Sequence, residues 1–227
     1  MSRQRRPLLP TSRYAWLVGI GAVLVAGGLL IGSTRPAGPG AGGLPAGARV
    51  PPFAVVLATS EAVCDSDDDP CDANVAASGA RDHGEAGSRP ACAVRGPTVL
   101  NLCALTERGP LVLGLMATRD SGCVASFDEL SALPRPHRGL QVAVVSIRGD
   151  LDDLREVVRD RRWSFPVGWD RDGVLASLYG VATCPYLVAV RWRGRVQGTL
   201  LGGSSRAGVQ RAAARVVAAS RAAGWRP

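Results

Sequence analysis

The sequence predicts an α/β domain whose central mixed sheet is flanked by helices. From residue 111 onward, apolar runs of strand character alternate with amphipathic runs of helical period. Two strand-like runs separated by Arg193-Gly194 then predict a β-hairpin, and an alanine- and arginine-rich helix follows. This βαβαβ order, followed by a hairpin and a helix, predicts helices on both faces of the sheet and right-handed parallel crossovers.

Local signals place the individual elements. A strand over 111–116 ends at a polar turn, and regularly spaced apolar residues over 124–133 predict a helix whose first turn holds Cys123. Asp150 is expected to cap a helix over 151–162. The other predicted elements are a proline-led edge strand over 50–57, a strand over 140–147, an extended piece over 165–169, a helix over 174–179 that ends at Gly180, strands over 186–192 and 195–201, and a helix over 207–223.

The N-terminal residues predict one transmembrane helix and a linker. Residues 14–32 contain no charge, and a helix of that length would span roughly 28 Å, close to the apolar thickness of a bilayer. The basic residues in 1–13 should stay in the cytoplasm, so that the rest of the chain lies outside the cell membrane. A cleaved signal peptide is the alternative. Residues 33–50, rich in Pro, Gly and Ala, predict a linker, which leaves 51–227 as the extracytoplasmic domain.

The net charge of +8 does not indicate a nucleic-acid-binding protein. Every basic residue is an arginine, and no basic cluster is interleaved with aromatic residues that could stack on bases. Neither His83 nor His137 has metal-ligand spacing to a cysteine, so zinc is not expected. We therefore expect no cofactor and no nucleic-acid partner.

Residues 58–97 are expected to form an irregular insertion. Cys64 and Cys71 flank an acidic loop whose carboxylates could bind calcium, but the loop lacks the central glycine and closing glutamate of an EF-hand. A surface loop, which a Cys64–Cys71 disulfide could close, is the favoured interpretation. Cys92 and Cys103 could pair or stay buried. All six cysteines follow the apolar segment, on the side where oxidation is expected, and six cysteines allow 15 pairings.

Cys123 is a candidate reactive thiol. A helix N-terminus favours negative charge and therefore favours the thiolate over the thiol. The local sequence is equally compatible with a buried, inert cysteine, because free cysteine is among the most buried residue types.

Two segments resemble the active-site loops of thioredoxin-like proteins. Residues 116–123, MATRDSGC, resemble the W-A-T-W-C-x-x-C turn of that superfamily. Residues 179–185, YGVATCP, resemble its cis-proline loop, and an apolar strand follows here as it does there. The nearest branch is the membrane-anchored TlpA/redoxin group, whose PPF strand resembles the residues around Phe53. The resemblance covers roughly residues 50–205 and implies a thioredoxin-like fold with antioxidant or disulfide-exchange chemistry.

The active-site motif is altered in this chain. Asp120 stands where the first, nucleophilic cysteine belongs, Arg119 replaces a tryptophan, and Cys123 falls on the second, resolving position. A disulfide within the turn cannot form. Because the family's cis-proline loop packs against this turn, the resemblance implies that Cys184, just before a cis Pro185, faces Cys123. This would make Cys123 and Cys184 the redox pair and leave four cysteines for structural disulfides: Cys64, Cys71, Cys92 and Cys103.

The first implied function is thiol–disulfide exchange with protein thiols, protein disulfides or a thiol electron donor. Cys123 would attack a partner disulfide and Cys184 would resolve the mixed disulfide. Asp120 could exchange a proton with the sulfur or raise the pKa of the thiol. The substrate groove would be shaped by Pro185 together with Thr118, Arg119 and Thr183.

Two alternatives remain. In a peroxiredoxin-like peroxidase, Cys123 would be the peroxidatic sulfur and Cys184 or Cys103 would resolve it. Asp120 and Met116 occupy the threonine and proline positions of that family's motif, which counts against this function. In a redox-inactive binding module, all the cysteines would be locked in structural disulfides.

Overall fold

The computed structural model describes residues 20, 23–24, 42–62, 64, 71–76, 87–116, 121–135, 137–203 and 205–227. The chain divides into two compact units, Met1–Ala37 and Gly38–Pro227. In the first unit only three residues of the predicted anchor over 14–32 are described, and all three are helical and exposed: Ile20, Val23 and Leu24. Within the described ranges, no helix combines the length and the apolar character that a membrane crossing requires.

The second unit contains a seven-stranded mixed sheet of order β2-β1-β5-β4-β3-β6-β7. Strands β3, β4 and β5 are parallel to one another. On the β3 side, β6 pairs antiparallel with β3 and β7 pairs antiparallel with β6. On the β5 side, β1 pairs antiparallel with β5 and β2 pairs antiparallel with β1. The strands are β1 Ala54–Leu57, β2 Val99–Asn101, β3 Leu111–Met116, β4 Gln141–Ile147, β5 Val167–Asp170, β6 Tyr186–Arg191 and β7 Arg195–Leu201. The predicted mixed sheet with flanking helices is confirmed.

Among the residues that the structure describes, five α-helices accompany the sheet: α1 Leu102–Arg108, α2 Ser121–Ala125, α3 Leu151–Arg161, α4 Val174–Tyr179 and α5 Arg206–Ala222. The Asp150 side chain caps α3 as predicted, since it accepts hydrogen bonds from the amides of Asp152 and Asp153 at 2.8 and 3.1 Å. Helix α1 was not predicted. Its signal is Asn101, whose side chain accepts a hydrogen bond from the amide of Ala104 at 3.0 Å.

Strand β3 lies inside the sheet between β4 and β6, and all six of its residues are buried. Successive side chains of a strand point to opposite faces, so this strand contributes to two cores. Val112 and Met116 pack on the face that α2, α3 and α5 cover. Leu113 and Leu115 pack on the opposite face, against α1 and α4. A strand covered on both faces explains why the sequence shows a continuous apolar run here.

The predicted helix over 124–133 is shorter than expected. Helix α2 ends at Ala125, and a 3₁₀-helix over Asp128–Ala132 follows it. The apolar residues in this stretch recur every third position, at 124, 127, 130 and 133, and all four are buried. A spacing of three matches the 3₁₀-helix, which has three residues per turn, better than the α-helix.

The predicted linker over 33–50 does not extend to residue 50 as a free segment. The amide of Gly47 donates to the carbonyl of Val196 at 2.8 Å, and the amide of Val196 donates to the carbonyl of Ala48 at 2.9 Å. These bonds attach the end of the segment to the outer edge of β7. The folded domain therefore includes residues before the predicted boundary at 51.

The predicted insertion over 58–97 also contributes to the sheet. Asn74 and Ala54 exchange two backbone hydrogen bonds of 2.9 Å, which gives β1 an additional neighbour. Residues 65–70, on which the calcium alternative rests, lie outside the described residues, as does His83.

Candidate functional site

The segment that follows β3 and the loop that precedes β6 meet at one edge of the sheet, where the strands end. Strand β3 ends there at Met116, and β6, which runs antiparallel to β3, begins there at Tyr186. Helix α2 follows β3 and the loop before β6 ends in Pro185, so the topology brings these two segments side by side. The carboxyl end of β4 lies at the same edge, because β4 is parallel to β3.

A disulfide joins the two segments at this edge. It links Cys123 of α2 to Cys184 across 61 positions of sequence, with a Cα–Cα distance of 5.4 Å. The peptide bond between Cys184 and Pro185 is cis. Pro185 is buried, and its carbonyl accepts a hydrogen bond from the amide of Gly202 at 2.9 Å. The structure thus brings together two sulfurs that the resemblance pairs, while their catalytic role stays a prediction.

The two cysteines differ in exposure. Cys123 is only 3 % exposed and belongs to the core on the α2, α3 and α5 face, together with Val124 and Phe127. Cys184 is partly exposed and packs against the outside of that core, and Thr183 before it is exposed. The exposed part of the disulfide therefore belongs to Cys184.

Three predicted site residues lie outside the described residues: Thr118, Arg119 and Asp120. Their predicted roles in the substrate groove and in proton exchange stay predictions. Thr183 lies next to the disulfide, on the exposed side of the loop.

Two tyrosines that sequence reasoning did not single out fix the loop before β6. The Tyr186 hydroxyl donates to the carbonyl of Tyr179 at 2.6 Å and accepts from the amide of Leu44 at 3.2 Å. The Tyr179 hydroxyl donates to the carbonyl of Pro51 at 2.7 Å. Burial raises the pKa of Tyr179 well above its usual value and also raises the pKa of Tyr186, so both phenols stay protonated donors.

The other four cysteines form two further disulfides. Cys64 is joined to Cys71 with a Cα–Cα distance of 5.7 Å, and Cys92 to Cys103 with 5.4 Å. The second bond ties a 3₁₀-turn over Ala91–Ala93 to α1, on the opposite face of the sheet from Cys123. Sequence could not choose among the pairings, because the choice depends on which segments the fold brings together.

A cavity of about 900 Å³ lies between α3 and the loop after β1, on the same face of the sheet as Cys123. The guanidinium of Arg155 lines it and donates to three carbonyl oxygens of that loop, those of Ala58, Ser60 and Ala62, at 3.2, 2.8 and 3.2 Å. Arg155 therefore holds the loop against α3. Sequence reasoning missed this role, because the three carbonyl groups lie more than 90 positions away in the chain.

Comparison with solved structures decides the fold. A protein from Chlorobium tepidum that bears the name of a thiol:disulfide interchange protein, DsbE, superimposes with a TM-score of 0.56 over 77% of this chain and 99% of its own, at 17% identity. This chain has a thioredoxin-like fold. The thioredoxin domain of a thiol-disulfide oxidoreductase from Bacteroides vulgatus gives a TM-score of 0.53 at 10% identity, with 77% of this chain and 99% of that one covered.

A protein from Bacteroides thetaiotaomicron named as a protein disulfide isomerase also has this thioredoxin-like fold. Its TM-score is 0.54 at 10% identity, and the match covers 81% of this chain and 97% of that chain. No family model and no curated protein sequence matches this chain. At these identities the likeness shows the fold, and the chemistry has to be argued from the site.

Proposed function

We propose that this protein is a membrane-anchored, extracytoplasmic thiol–disulfide oxidoreductase whose redox pair is Cys123 and Cys184. One observation carries the proposal: a disulfide links α2 to the loop before β6 at an edge of a thioredoxin-like sheet. The names of similarly folded proteins, which include a thiol:disulfide interchange protein and a thiol-disulfide oxidoreductase, support the same chemistry.

The disulfide is suited to exchange because it is partly accessible and joins two separate segments. Thiol–disulfide exchange needs a thiolate that can approach one sulfur of a disulfide, and the rate depends on that access. The partial exposure of Cys184 provides such access. Opening the bond removes the covalent link between α2 and the loop, and the hydrogen bond from Gly202 to Pro185 does not depend on that link. The proposed partners are protein thiols or disulfides, or a thiol electron donor.

The membrane anchor is proposed from the apolar residues 14–32 and the arginines before them. The expected arrangement has 1–13 in the cytoplasm and the cysteine-containing domain outside, where disulfides persist. In cells that express the full chain, detergent but not high salt should release it from membranes, and protease added outside should digest the domain. Recovery of a cleaved, soluble chain that begins after residue 32 would contradict the anchor.

The redox function is tested by peptide mapping and by reduction of insulin with dithiothreitol as donor. We expect the oxidised protein to contain a Cys123–Cys184 linkage and the wild type to accelerate insulin reduction. Cys123→Ser should lose that acceleration. A double Cys92→Ser, Cys103→Ser variant, which removes the disulfide on the opposite face, is the matched control and should retain it. Free thiols at both 123 and 184 in the oxidised protein would exclude the proposed redox pair.

The burial of Cys123 favours one second candidate, a redox-inactive binding module in which this disulfide is structural. Its reduction potential separates the two functions. Structural disulfides of secreted proteins typically lie below about −300 mV, whereas exchanging disulfides have higher potentials. Equilibration with glutathione or dithiothreitol buffers, read by mass mapping of this bond, decides between them.

A further inference from the structure

We propose that Cys184 is the sulfur that exchanges with the partner and that Cys123 resolves the mixed disulfide. This inference rests on the proposed redox function and assigns an order to its two sulfurs. It reverses the order given for the first implied function, in which Cys123 attacks and Cys184 resolves, and it agrees with the alignment of Cys123 on the resolving position of the family's motif.

Access favours Cys184 as the first sulfur. A partner protein brings a bulky disulfide or thiolate, and exchange requires its sulfur to approach along the line of the bond that breaks. Cys123 is 3 % exposed, whereas Cys184 is partly exposed and follows the exposed residues Ala182 and Thr183. An incoming sulfur can therefore reach Cys184 from solvent without any displacement of the core.

The surroundings of Cys123 oppose its direct attack on a partner. Val124 and Phe127, which follow it, are buried in the same core, and so are Leu130 and Leu133 further on. Exposing Cys123 would pull this apolar segment into water, at the cost of its hydrophobic burial. If Cys123 is the resolving residue, it needs no such movement, because its sulfur only has to reach the sulfur of Cys184. The Cα atoms of the two cysteines lie 5.4 Å apart.

The helix bearing Cys123 gives it little compensating activation. Within the described residues helix α2 has five residues, Ser121–Ala125, and the helix dipole that stabilises a thiolate is the sum of aligned peptide units. We therefore do not expect Cys123 to have a larger thiolate fraction than Cys184 that would offset its poor access. Access then decides which sulfur reacts first.

The reaction balances in both directions. In the reduced protein, the Cys184 thiolate attacks one sulfur of a partner disulfide. The Cys184–partner bond forms, the partner's S–S bond breaks, and the second partner sulfur leaves as a thiolate that takes a proton from water. The Cys123 thiolate then attacks the Cys184 sulfur and expels the first partner sulfur. The partner gains two electrons and becomes a dithiol, and the protein becomes the Cys123–Cys184 disulfide. The reverse sequence oxidises a partner dithiol.

The test compares the two single variants, Cys123→Ser and Cys184→Ser, as full chains. Each keeps the Cys64–Cys71 and Cys92–Cys103 disulfides and has one unpaired thiol, so no reduction step is needed. Both are mixed with glutathione disulfide, and the glutathione adduct is followed by intact mass. We expect Cys123→Ser, which retains Cys184, to form its adduct at least about tenfold faster than Cys184→Ser, because thiol reactivity follows exposure when thiolate content is similar.

The outcomes separate this inference from the proposed function. If Cys184→Ser forms its glutathione adduct faster than Cys123→Ser, or if the two rates are equal, the proposed order of the sulfurs is wrong, but the proposed redox function is not contradicted. If neither variant forms an adduct and wild-type Cys123–Cys184 also resists reduction by dithiothreitol, both the redox function and the order fail.

Wild-type protein provides a second readout in case a variant does not fold. After reduction, a brief exposure to iodoacetamide is followed by tryptic mapping, in which Cys123 lies in peptide 120–138 and Cys184 in peptide 172–191. Preferential alkylation of peptide 172–191 supports the order, and preferential alkylation of 120–138 contradicts it.

Discussion

The ring of Phe127 lies so close to Gly114 that a Cβ atom on residue 114 would come within 2.5 Å of the phenyl carbon Cε1. Gly114 is in the middle of β3, where glycine is otherwise unfavourable, and the space above it is filled by Phe127, two positions after the end of α2. The glycine therefore lets the segment carrying Cys123 pack directly on β3.

Gly114→Ala should destabilise the protein by about 1–3 kcal/mol, because the added methyl group overpacks the core against Phe127. The free energy of unfolding, from urea denaturation, measures the effect. Gly198→Ala in β7 is the matched control, since a methyl group on residue 198 would have no atom of the described residues within 4 Å. This variant should be neutral or gain up to about 1 kcal/mol, as alanine restricts the unfolded chain more than glycine does. Equal effects at 114 and 198 would contradict the packing argument.

Tyr186→Phe should cost about 1–3 kcal/mol of unfolding free energy. The substitution keeps the ring but removes the hydroxyl that bonds both the carbonyl of Tyr179 and the amide of Leu44, and it leaves buried polar groups without a partner. The free energy of unfolding from urea denaturation measures the loss. A change below about 0.5 kcal/mol would show that these groups find other partners.

The sequence predicted most of the fold because periodicity and end signals are local. The hairpin over 186–201, the Asp150 cap and the helix ending at Gly180 all depend on residues close together in the chain. The helix predicted over 124–133 was too long, because the three-residue spacing of its apolar residues, which matches a 3₁₀-helix, was overlooked. Helix α1 was missed because its main sequence signal is a single capping residue, Asn101.

The site was less predictable because its contacts are long-range. The proximity of Cys123 and Cys184 followed only from a resemblance, as no local pattern relates residues 61 positions apart. The bonds of Tyr179 to Pro51 and of Arg155 to the loop after β1 have no sequence signature at all. The difference in exposure between the two cysteines depends on tertiary packing, which is why sequence alone assigned their order differently.

Arg155→Met should loosen the loop over 58–62, because methionine keeps an apolar stem but removes the donors to three carbonyl oxygens. Hydrogen exchange read by mass spectrometry should show faster exchange in this loop while the strands remain protected. Arg159→Met is the control, as Arg159 lines the same cavity and its side chain makes no hydrogen bond to any residue that the structure describes. Unchanged exchange in Arg155→Met, or equal increases in both variants, would refute the role of Arg155.

Asp170 should make the stability of this protein fall as the pH rises above the acid range. This carboxylate is fully buried at the end of β5, and burial raises its pKa, although hydrogen bonds from the amides of Val174 and Leu175 act in the opposite direction. A raised pKa means that the folded state binds the proton more tightly than the unfolded state. The folded state therefore loses stability as the pH rises from the ordinary aspartate value, about 3.9, through the higher pKa of the folded state.

Asp170→Asn removes this titration and isolates its contribution. Urea unfolding of wild type and variant at a series of pH values from about 3.5 to about 7 gives the difference in unfolding free energy at each pH. We expect wild type to lose stability relative to Asp170→Asn as the pH rises, because only wild type must then bury a charge. A relative gain of wild-type stability toward neutral pH would mean that the two amide donors at the start of α4 outweigh desolvation, and that the pKa of Asp170 is lowered by folding.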